Sequence, residues 1–364
     1  MRTRGAASGI VALCLAAAAL AAGVAAGASG AAGTPAAAAA ARAPADATRD
    51  AAVGAVDSVA IPVTDMERAV DFYTHVLAFH VVADHEVTGS DYEHFLGVFG
   101  TRLRVVRLAL GEEAIELMQF LAPRGRPLPA DLRSNDRAFQ HVAIIVSDMD
   151  QAYARLREHH VEHASTAPQR LPDSNPNAGG IEAFYFRDPD GNFLEILHFP
   201  PGKGARRWQS RDALFLGVDH TAIVVADTAA SLHYYRDLLG LKVAGESDNY
   251  GTEQEHLNNV FGAHLRITAL RAARGPGVEL LEYLAPRTGR AVPPDSQAND
   301  RWYWQINFVV ARPETIYEKS GIEHVARVSS GIVTLGSPAL GLARGFVMRD
   351  PDGHAAAIAT AAAP

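Results

Sequence analysis

Cysteine is almost absent from this chain: the sequence contains one, Cys14. Because Cys14 lies in the N-terminal segment, disulfide bonds, thiol catalysis and cysteine-bound metals are excluded from the rest of the chain. A run of basic residues is also missing, and the net charge of −8 at pH 7 arises from mixed signs. Neither nucleic acid nor an anionic lipid surface is therefore expected as a partner.

Long apolar runs are missing everywhere except near the N-terminus. There, two arginines precede an apolar stretch from about Ile10 to Ala22, and small residues follow it. This is the pattern of a secretory signal, which we predict for residues 1–30. No stop-transfer pattern follows, so stable membrane insertion is not expected. Residues 31–54 are rich in alanine and proline and predict a disordered tether. We therefore expect an exported protein, periplasmic or extracellular.

The rest of the chain repeats itself at an interval of 162 positions, as from Asp57 to Asp219. The matching segments include DSVAIPVTD (57–65) with DHTAIVVAD (219–227), YEHFLGVFGTRLRV (92–105) with QEHLNNVFGAHLRI (254–267), and FRDPDG (186–191) with MRDPDG (348–353). A fixed interval over so many segments indicates one duplicated unit.

Each half divides again into two modules of one pattern. A short apolar strand (VAIPV, HVAIIV, HTAIVV or INFVV) is followed by an amphipathic helix, with helix-start signals such as Thr64-x-x-Glu67 and Ser147-x-x-Asp150. Apolar or alternating segments such as LRVVRLAL and NFLEILHF then predict strands. The order strand, helix, three strands therefore occurs four times, which predicts an α+β fold.

Together these motifs resemble the vicinal-oxygen-chelate (VOC) superfamily of glyoxalase I, extradiol dioxygenases and bleomycin-resistance proteins. The resemblance rests on a D-H-x-A-I-x-V strand, a helix ending in L-G-L, a V-E-L strand and R-D-P-D-G near the end of each half. It implies four βαβββ modules in two open, barrel-like VOC domains, each with a cavity for a divalent metal. We place these domains at 55–200 and 217–362, joined by a linker at 201–216.

The resemblance also implies two metal-ligand positions in each module, one early in the first strand and one on the last strand. Strand alternation aims both at one concave face. In chain order these positions hold Ser58, Glu116, His141, Glu195, His220, Glu279, Gln305 and Ala357. The expected metal ligands are His141, Glu195, His220, Glu279 and Glu116. Imidazole and carboxylate ligands suit a divalent Zn, Fe, Mn, Co or Ni ion, and Glu195 or Glu279 would act as catalytic base.

The pairing of the modules decides which of these residues meet. If neighbouring modules pair, neither barrel holds a complete set of two histidines and two glutamates. If module two pairs with module three and module one with module four, one barrel receives the complete set. The three residues that are neither His nor Glu then lie together in the other barrel. This is the pattern expected if only one of the two sites needs to keep its metal ligands. The similar linkers within the two halves favour neighbours instead, so the sequence leaves both pairings open.

Each candidate ligand also has a purely structural interpretation. A histidine at the start of an apolar strand can be held by hydrogen bonds in the core. A glutamate on the buried face of a strand can be neutralised by a partner such as an arginine. The ligand interpretation therefore requires these side chains to converge.

The resemblance implies a metal-dependent enzyme that acts on a small oxygen-rich substrate as a lyase, isomerase or epimerase. An extradiol dioxygenase is a subordinate version, because it needs only two histidines and one carboxylate on Fe²⁺. Export would argue against a glutathione or coenzyme A adduct as substrate. The alternative is a non-catalytic protein that sequesters a small molecule, as bleomycin-resistance members do. The residues that cannot serve as ligands, Ser58, Gln305 and Ala357, favour that alternative.

Overall fold

The computed structural model describes residues 52–363. The predicted signal segment at 1–30 lies outside the described residues, as does the predicted tether up to residue 51. The end of that tether departs from the prediction of disorder, because Val53 is buried and its backbone N–H donates to the Leu239 carbonyl at 2.9 Å. Within the described residues, none of the helices combines the length and apolar character that a membrane crossing requires.

The predicted pattern of one strand, one helix and further strands recurs in all four modules. Module one contains β1 (Ala55–Pro62), β2 (His80–Thr88), β3 (Arg102–Leu110) and β4 (Glu113–Ala122). Module two contains β5 (Phe139–Val146), β6 (Glu162–His163), β7 (Gln169–Arg170), β8 (Glu182–Arg187) and β9 (Phe193–His198). Module three contains β10 (Phe215–Val225), β11 (Lys242–Tyr250), β12 (His264–Arg271) and β13 (Gly277–Ala285). Module four contains β14 (Gln305–Val309), β15 (Val333–Thr334), β16 (Leu342–Arg349) and β17 (Ala355–Ala361).

A helix follows the first strand of every module, and modules one and three carry a second, short helix. These helices are α1 (Met66–Asp71, continued by a π-helix over Phe72–Val76), α2 (Ser90–Leu96), α3 (Met149–Glu158), α4 (Thr228–Leu232, continued by a π-helix over His233–Leu238), α5 (Thr252–Asn258) and α6 (Pro313–Ile322). A 3-10 helix at Arg206–Gln209 lies in the predicted linker. The α+β class is therefore confirmed.

The helices α1 and α3 each start one residue later than the sequence signals suggested. Asp65 caps α1, and its side chain accepts the backbone N–H of Arg68 at 3.0 Å. Asp148 caps α3 in the same way. Thr64, which the sequence pattern assigned as the cap of α1, instead hydrogen-bonds to the carboxylate of Asp190 in module two. A carboxylate accepts hydrogen bonds at a helix N-terminus at least as well as a hydroxyl, and it also interacts favourably with the helix dipole.

The strands form two mixed sheets that combine modules from different halves of the chain. One sheet has the order β15-β16-β17-β14-β1-β4-β3-β2, and the other has the order β11-β12-β13-β10-β5-β9-β8-β6, with β7 beside β8. We call them the 1+4 sheet and the 2+3 sheet after their modules. The modules meet through antiparallel pairs, β1 with β14 and β5 with β10. Of the two pairings that the sequence left open, the structure has the crossed one.

The two sheets therefore do not follow the consecutive segments 55–200 and 217–362, since each segment contributes one module to each sheet. Modules within one half contact each other through helices and turns instead. The Tyr73 hydroxyl in module one donates to Asp188 in module two at 3.2 Å, and Tyr235 donates to Asp350 in the same way at 3.1 Å. The largest apolar cluster combines helix and strand residues of all four modules, so burial of these faces accompanies the crossed pairing.

The concave faces of the two sheets differ in what fills them. On the 1+4 sheet an apolar cluster lies over the face. Its larger members include Tyr92, Phe95, Leu96, Met118, Phe120, Tyr303 and Leu340. On the 2+3 sheet, polar side chains and a cavity occupy the corresponding place. A polar cavity therefore lies over the 2+3 sheet.

A buried histidine occupies one of the two related Asp-Pro-Asp-Gly turns. His354 in module four takes the place of Asn192 in module two, and each side chain donates to the aspartate that begins its turn. The distance is 2.8 Å from His354 Nδ1 to Asp350 and 2.9 Å from Asn192 Nδ2 to Asp188. Burial alone would lower the pKa of His354, but the carboxylate of Asp350 holds it above its usual range.

We expect His354→Asn to destabilise the fold most in mildly acidic solution. Protonated His354 stabilises the fold fully below its unfolded-state pKa of about 6.5, and this contribution is lost as the pH rises through the higher folded-state pKa. Urea unfolding of both proteins at about pH 6 and about pH 9 measures the difference in free energy of unfolding. A difference that stays constant between these pH values would contradict the assignment.

Candidate metal centre

Four of the predicted ligands lie on neighbouring strands of the 2+3 sheet. Across the sheet their order is Glu279 on β13, His220 on β10, His141 on β5 and Glu195 on β9. The two histidines meet with 3.2 Å between their Nε2 atoms. The crossed pairing thus brings together one histidine and one glutamate from each half of the chain.

The two carboxylates lie on either side of the histidine pair. Glu195 Oε2 is 3.1 Å from His141 Nε2 and 3.7 Å from His220 Nε2. Glu279 Oε2 is 3.3 Å from His220 Nε2. His141, Glu195 and His220 are buried, and their nearest ligand atoms all lie within 4.8 Å of one another. Glu279 adjoins this group of three through His220.

Hydrogen bonds on the far side of each ring fix which nitrogen faces the centre. His220 Nδ1–H donates to the Asp219 carboxylate at 3.0 Å, and His141 Nδ1–H donates to the side-chain oxygen of Gln140. When either ring is neutral, its lone pair is then on Nε2. This is the arrangement that metal-bound histidines adopt in proteins, where a second partner sets the tautomer.

Asp219 is itself held by two further side chains. Arg271 donates to its carboxylate at 2.6 Å, and the indole N–H of Trp208 donates to it at 2.8 Å. Burial alone would raise the pKa of Asp219, but the hydrogen bond with His220 and the guanidinium of Arg271 hold it well below its usual range. Asp219 therefore stays ionised.

Sequence reasoning missed this support. Asp219 precedes His220 in the D-H motif and could have been found there, whereas Trp208 lies in the predicted linker and carries no signal in its local pattern.

Asp219 also acts on the charge of the ring beside it. Burial would lower the pKa of His220, but the surrounding carboxylates, of which Glu279 contributes most, raise it to about 9.

The group fits a divalent ion. Metal–nitrogen bonds of about 2.0 to 2.1 Å place two nitrogens on one ion about 3.0 to 3.4 Å apart. The distance of 3.2 Å between the two Nε2 atoms lies in this range. The buried Oε2 of Glu195 has no hydrogen-bond partner in the described part of the chain. A buried carboxylate oxygen without a hydrogen-bond partner is unfavourable unless a cation compensates it, and either the protonated ring of His220 or a bound metal ion can do so.

Glu116, also predicted as a ligand, does not join this group because it lies in the 1+4 sheet. Arg107 stands directly opposite it in the β3–β4 pairing and donates to its carboxylate at 2.7 Å. Asn307 donates to its second oxygen at 2.8 Å. Burial raises the pKa of Glu116 to about 7, although Arg107 opposes the shift. Glu116 therefore matches the structural interpretation, a buried glutamate neutralised by an arginine.

The three residues that cannot serve as ligands all lie in the 1+4 sheet with Glu116. Ser58 and Gln305 both hydrogen-bond to Asn307, and Ala357 belongs to the apolar cluster. In the 2+3 sheet the residue opposite Glu279 is Ala269, at the place that Arg107 takes opposite Glu116. Within the described residues, neither Glu195 nor Glu279 forms an ion pair with a lysine or arginine.

A cavity of about 110 Å³ reaches the candidate metal centre. Its polar lining includes the four ligand-type residues together with Tyr185, Asn249 and Gln254. Its apolar lining consists of leucines, isoleucines, alanines and Phe199. The arrangement is a small, partly apolar pocket with carboxylates and imidazoles at one end.

A model of the Glyoxalase/Bleomycin resistance protein/Dioxygenase superfamily matches residues 55–196 and 217–358. The chain therefore belongs to this superfamily, and the predicted family is confirmed. Members of the superfamily act on small molecules. Among curated proteins, the 2-epi-5-epi-valiolone epimerase of an Actinomyces species is 35% identical over 155 residues, which are 41% of this chain and 81% of that protein.

Solved structures show the same fold. Glyoxalase I from Zea mays superposes with a TM-score of 0.53 at 14% identity, covering 84% of this chain and 92% of that chain. A protein described as a putative dioxygenase from Bacillus subtilis superposes with a TM-score of 0.53 at 15% identity, covering 86% of each chain. At these identities the likeness concerns the fold alone.

We expect the double substitution Glu195→Ala with Glu279→Ala to abolish metal binding, because it removes both carboxylates that balance the ion's charge. Elemental analysis of dialysed protein measures the metal per chain, about one in the unaltered protein and close to none in the variant. Glu116→Gln is the matched control, since it removes a buried carboxylate from the 1+4 sheet. Metal retained by the double variant, or lost equally from the control, would contradict the assignment.

The aspartate behind His220 should also affect metal affinity. We expect Asp219→Asn to weaken metal binding by about 10- to 100-fold, the usual cost of losing a partner that orients a ligating histidine. Asp57→Asn is the control, because Asp57 occupies the equivalent place in the 1+4 sheet, where it accepts from Arg107. Competition titration against a chromophoric chelator gives both dissociation constants, and equal effects of the two substitutions would be the contrary result.

Proposed function

We propose that this chain is a divalent-metal-dependent epimerase or isomerase that moves a proton on a carbon next to a carbonyl group of a small, oxygen-rich substrate. The observation that carries the proposal is the pair of carboxylates, Glu195 and Glu279, on either side of two imidazoles in one cavity. The relative from an Actinomyces species supports the reaction class, because its name describes an epimerase.

His141, Glu195 and His220 would hold the ion, with Glu279 as the fourth ligand-type side chain. When bound, such an ion acts as a Lewis acid that makes a proton next to a carbonyl group easier to remove. The chain's own residues orient this chemistry, since Asp219 and Gln140 fix the rings. The apolar part of the cavity limits the water near the reacting carbon.

Glu279 is the better placed of the two candidate bases. Its side chain is 22% exposed, whereas that of Glu195 is 4% exposed, and its carboxylate borders the cavity. Glu279 would accept the proton from the substrate carbon. Inversion then needs a proton at the opposite face of that carbon. Glu195, on the other side of the histidine pair, would deliver it in a protonated form released from the ion, while Glu279 would pass the abstracted proton to solvent.

Two further parts of the proposal rest on the sequence. The signal pattern at residues 1–30 supports action outside the cytoplasm, where thiol adducts of glutathione or coenzyme A are not expected as substrates. The alternative is sequestration without catalysis, which Ser58, Gln305 and Ala357 favoured. These three residues belong to the 1+4 sheet, so they do not argue against catalysis in the 2+3 sheet.

Solvent exchange tests the proposed reaction. We expect metal-loaded protein in D2O to incorporate deuterium into 2-epi-5-epi-valiolone, the compound named for the Actinomyces relative, at a carbon next to the carbonyl group. Glu279→Gln should slow the exchange by about 100-fold or more, because general-base catalysis contributes about that factor. Nuclear magnetic resonance of the recovered compound follows the label.

The control for this experiment is Glu116→Gln, which should exchange at the unaltered rate. If metal-loaded protein bound the compound and left its C–H bonds unlabelled, the catalytic proposal would fail and sequestration would be the better description.

A further inference from the structure

A buried chain of hydrogen-bonded polar side chains lies beside the metal centre. Asn249 on β11 donates to Gln254 on α5 at 3.1 Å, and Gln254 donates to Asn258. Asn258 in turn donates to the hydroxyl of Tyr283 on β13 at 2.7 Å. All four side chains are buried. None of them is needed to hold the candidate metal ligands.

The other half of the duplicated chain shows that the fold does not require this polarity. The corresponding residues in the 1+4 sheet are Val87, Tyr92, Leu96 and Phe120, all of them in its apolar cluster. The strand register supports the match: Asn249 and Tyr283 both pair with Leu265, as Val87 and Phe120 both pair with Leu103. Amides and a phenol therefore stand where apolar and aromatic side chains complete the same architecture.

The chain of hydrogen bonds has a fixed direction. Asn175, in the loop between β7 and β8, donates to Asn249 at 2.8 Å, while its own side-chain oxygen accepts the backbone N–H groups of Asn177 and Ala178. Because the links run head to tail, turning any one amide over would break two of them. Each side-chain amide has two N–H bonds and uses one of them in this chain of hydrogen bonds. One N–H on Asn249 and one on Gln254 are therefore left to donate to another group.

Asn249 and Gln254 also mark the border between two cavities. Both residues line the cavity that contains His141, Glu195, His220 and Glu279. Both also line a neighbouring outer cavity of about 260 Å³, together with Asn175 and the exposed Tyr250. A substrate that extends from the metal centre toward the outer cavity therefore lies against these two amides.

We propose that Asn249 and Gln254 are specificity-determining residues that hold the hydroxyl oxygens of a polyhydroxylated substrate. This inference rests on the proposed function and names the substrate class of that site. Buried amide donors whose orientation is fixed before binding favour a ligand with oxygens at matching places. They disfavour a ligand without such oxygens, because the amides lose their water and gain no partner.

The test compares two ketones on the metal-loaded, full-length protein. One probe is 2-epi-5-epi-valiolone, the compound in the name of the Actinomyces relative, which is chemically a polyhydroxylated cyclohexanone. The other is α-hydroxycyclohexanone, which keeps the carbonyl and one neighbouring hydroxyl. We expect the unaltered protein to bind the first at least about tenfold more tightly by calorimetry, since two added hydrogen bonds readily contribute that factor.

Gln254→Met removes the amide and keeps the length of the side chain. We expect it to weaken binding of the polyhydroxylated probe about tenfold and to leave the other probe unchanged. Asn249→Val, which installs the residue of the 1+4 sheet, should act in the same direction and serves if Gln254→Met fails to fold. Metal content should stay at the unaltered level in both variants, because neither residue is a ligand.

Equal affinity of the unaltered protein for the two probes, or no binding of either, would overturn the inference. So would variants that keep the preference or that weaken both probes alike, since the amides would then be structural. The proposed function is judged separately by metal content and deuterium exchange. A protein that exchanges deuterium with both ketones and prefers neither would therefore refute the specificity role alone.

Discussion

The antiparallel pairing of β5 with β10 is the constraint on which the candidate site depends. It places His141 beside His220 although 79 positions separate them in sequence. The outer neighbours β9 and β13 run parallel to these two strands and bring Glu195 and Glu279 to the same face. Because side chains alternate between faces, a slip of one residue in either strand would turn its ligand away from the cavity.

The two sheets hold a glutamate at the same strand position, one with an arginine opposite it and one with an alanine opposite it. In the 1+4 sheet the long side chain of Arg107 reaches Glu116 from the opposite strand, and the amide of Asn307 donates to the second carboxylate oxygen. In the 2+3 sheet Ala269 stands opposite Glu279, so among the described residues Glu279 faces the imidazole of His220 and no lysine or arginine. The difference concerns the charge that surrounds each carboxylate, since both glutamates occupy the same strand position.

Local patterns predicted the modules and their candidate ligands, and they failed where distant segments meet. The periods of strands and helices, the Asp-Pro-Asp-Gly turns and the V-E-L strands are visible within short windows of sequence. The partner of β5 is not, because β1 and β10 present similar apolar edges and either pairing leaves the local pattern unchanged. Asp219 could have been predicted as a partner of His220, because it is the preceding residue. Trp208 could not, because it lies in a segment without periodicity.

The crossed sheets also bear on shorter relatives of this chain. A polypeptide with only modules one and two would carry β1 and β5 without the antiparallel partners that β14 and β10 provide here. Unpaired strand edges of this kind associate with other strands. Two identical copies could supply each other's missing edge around a twofold axis. Gene fusion would then have turned a symmetric homodimer into one polypeptide, in which either composite barrel could change independently of the other.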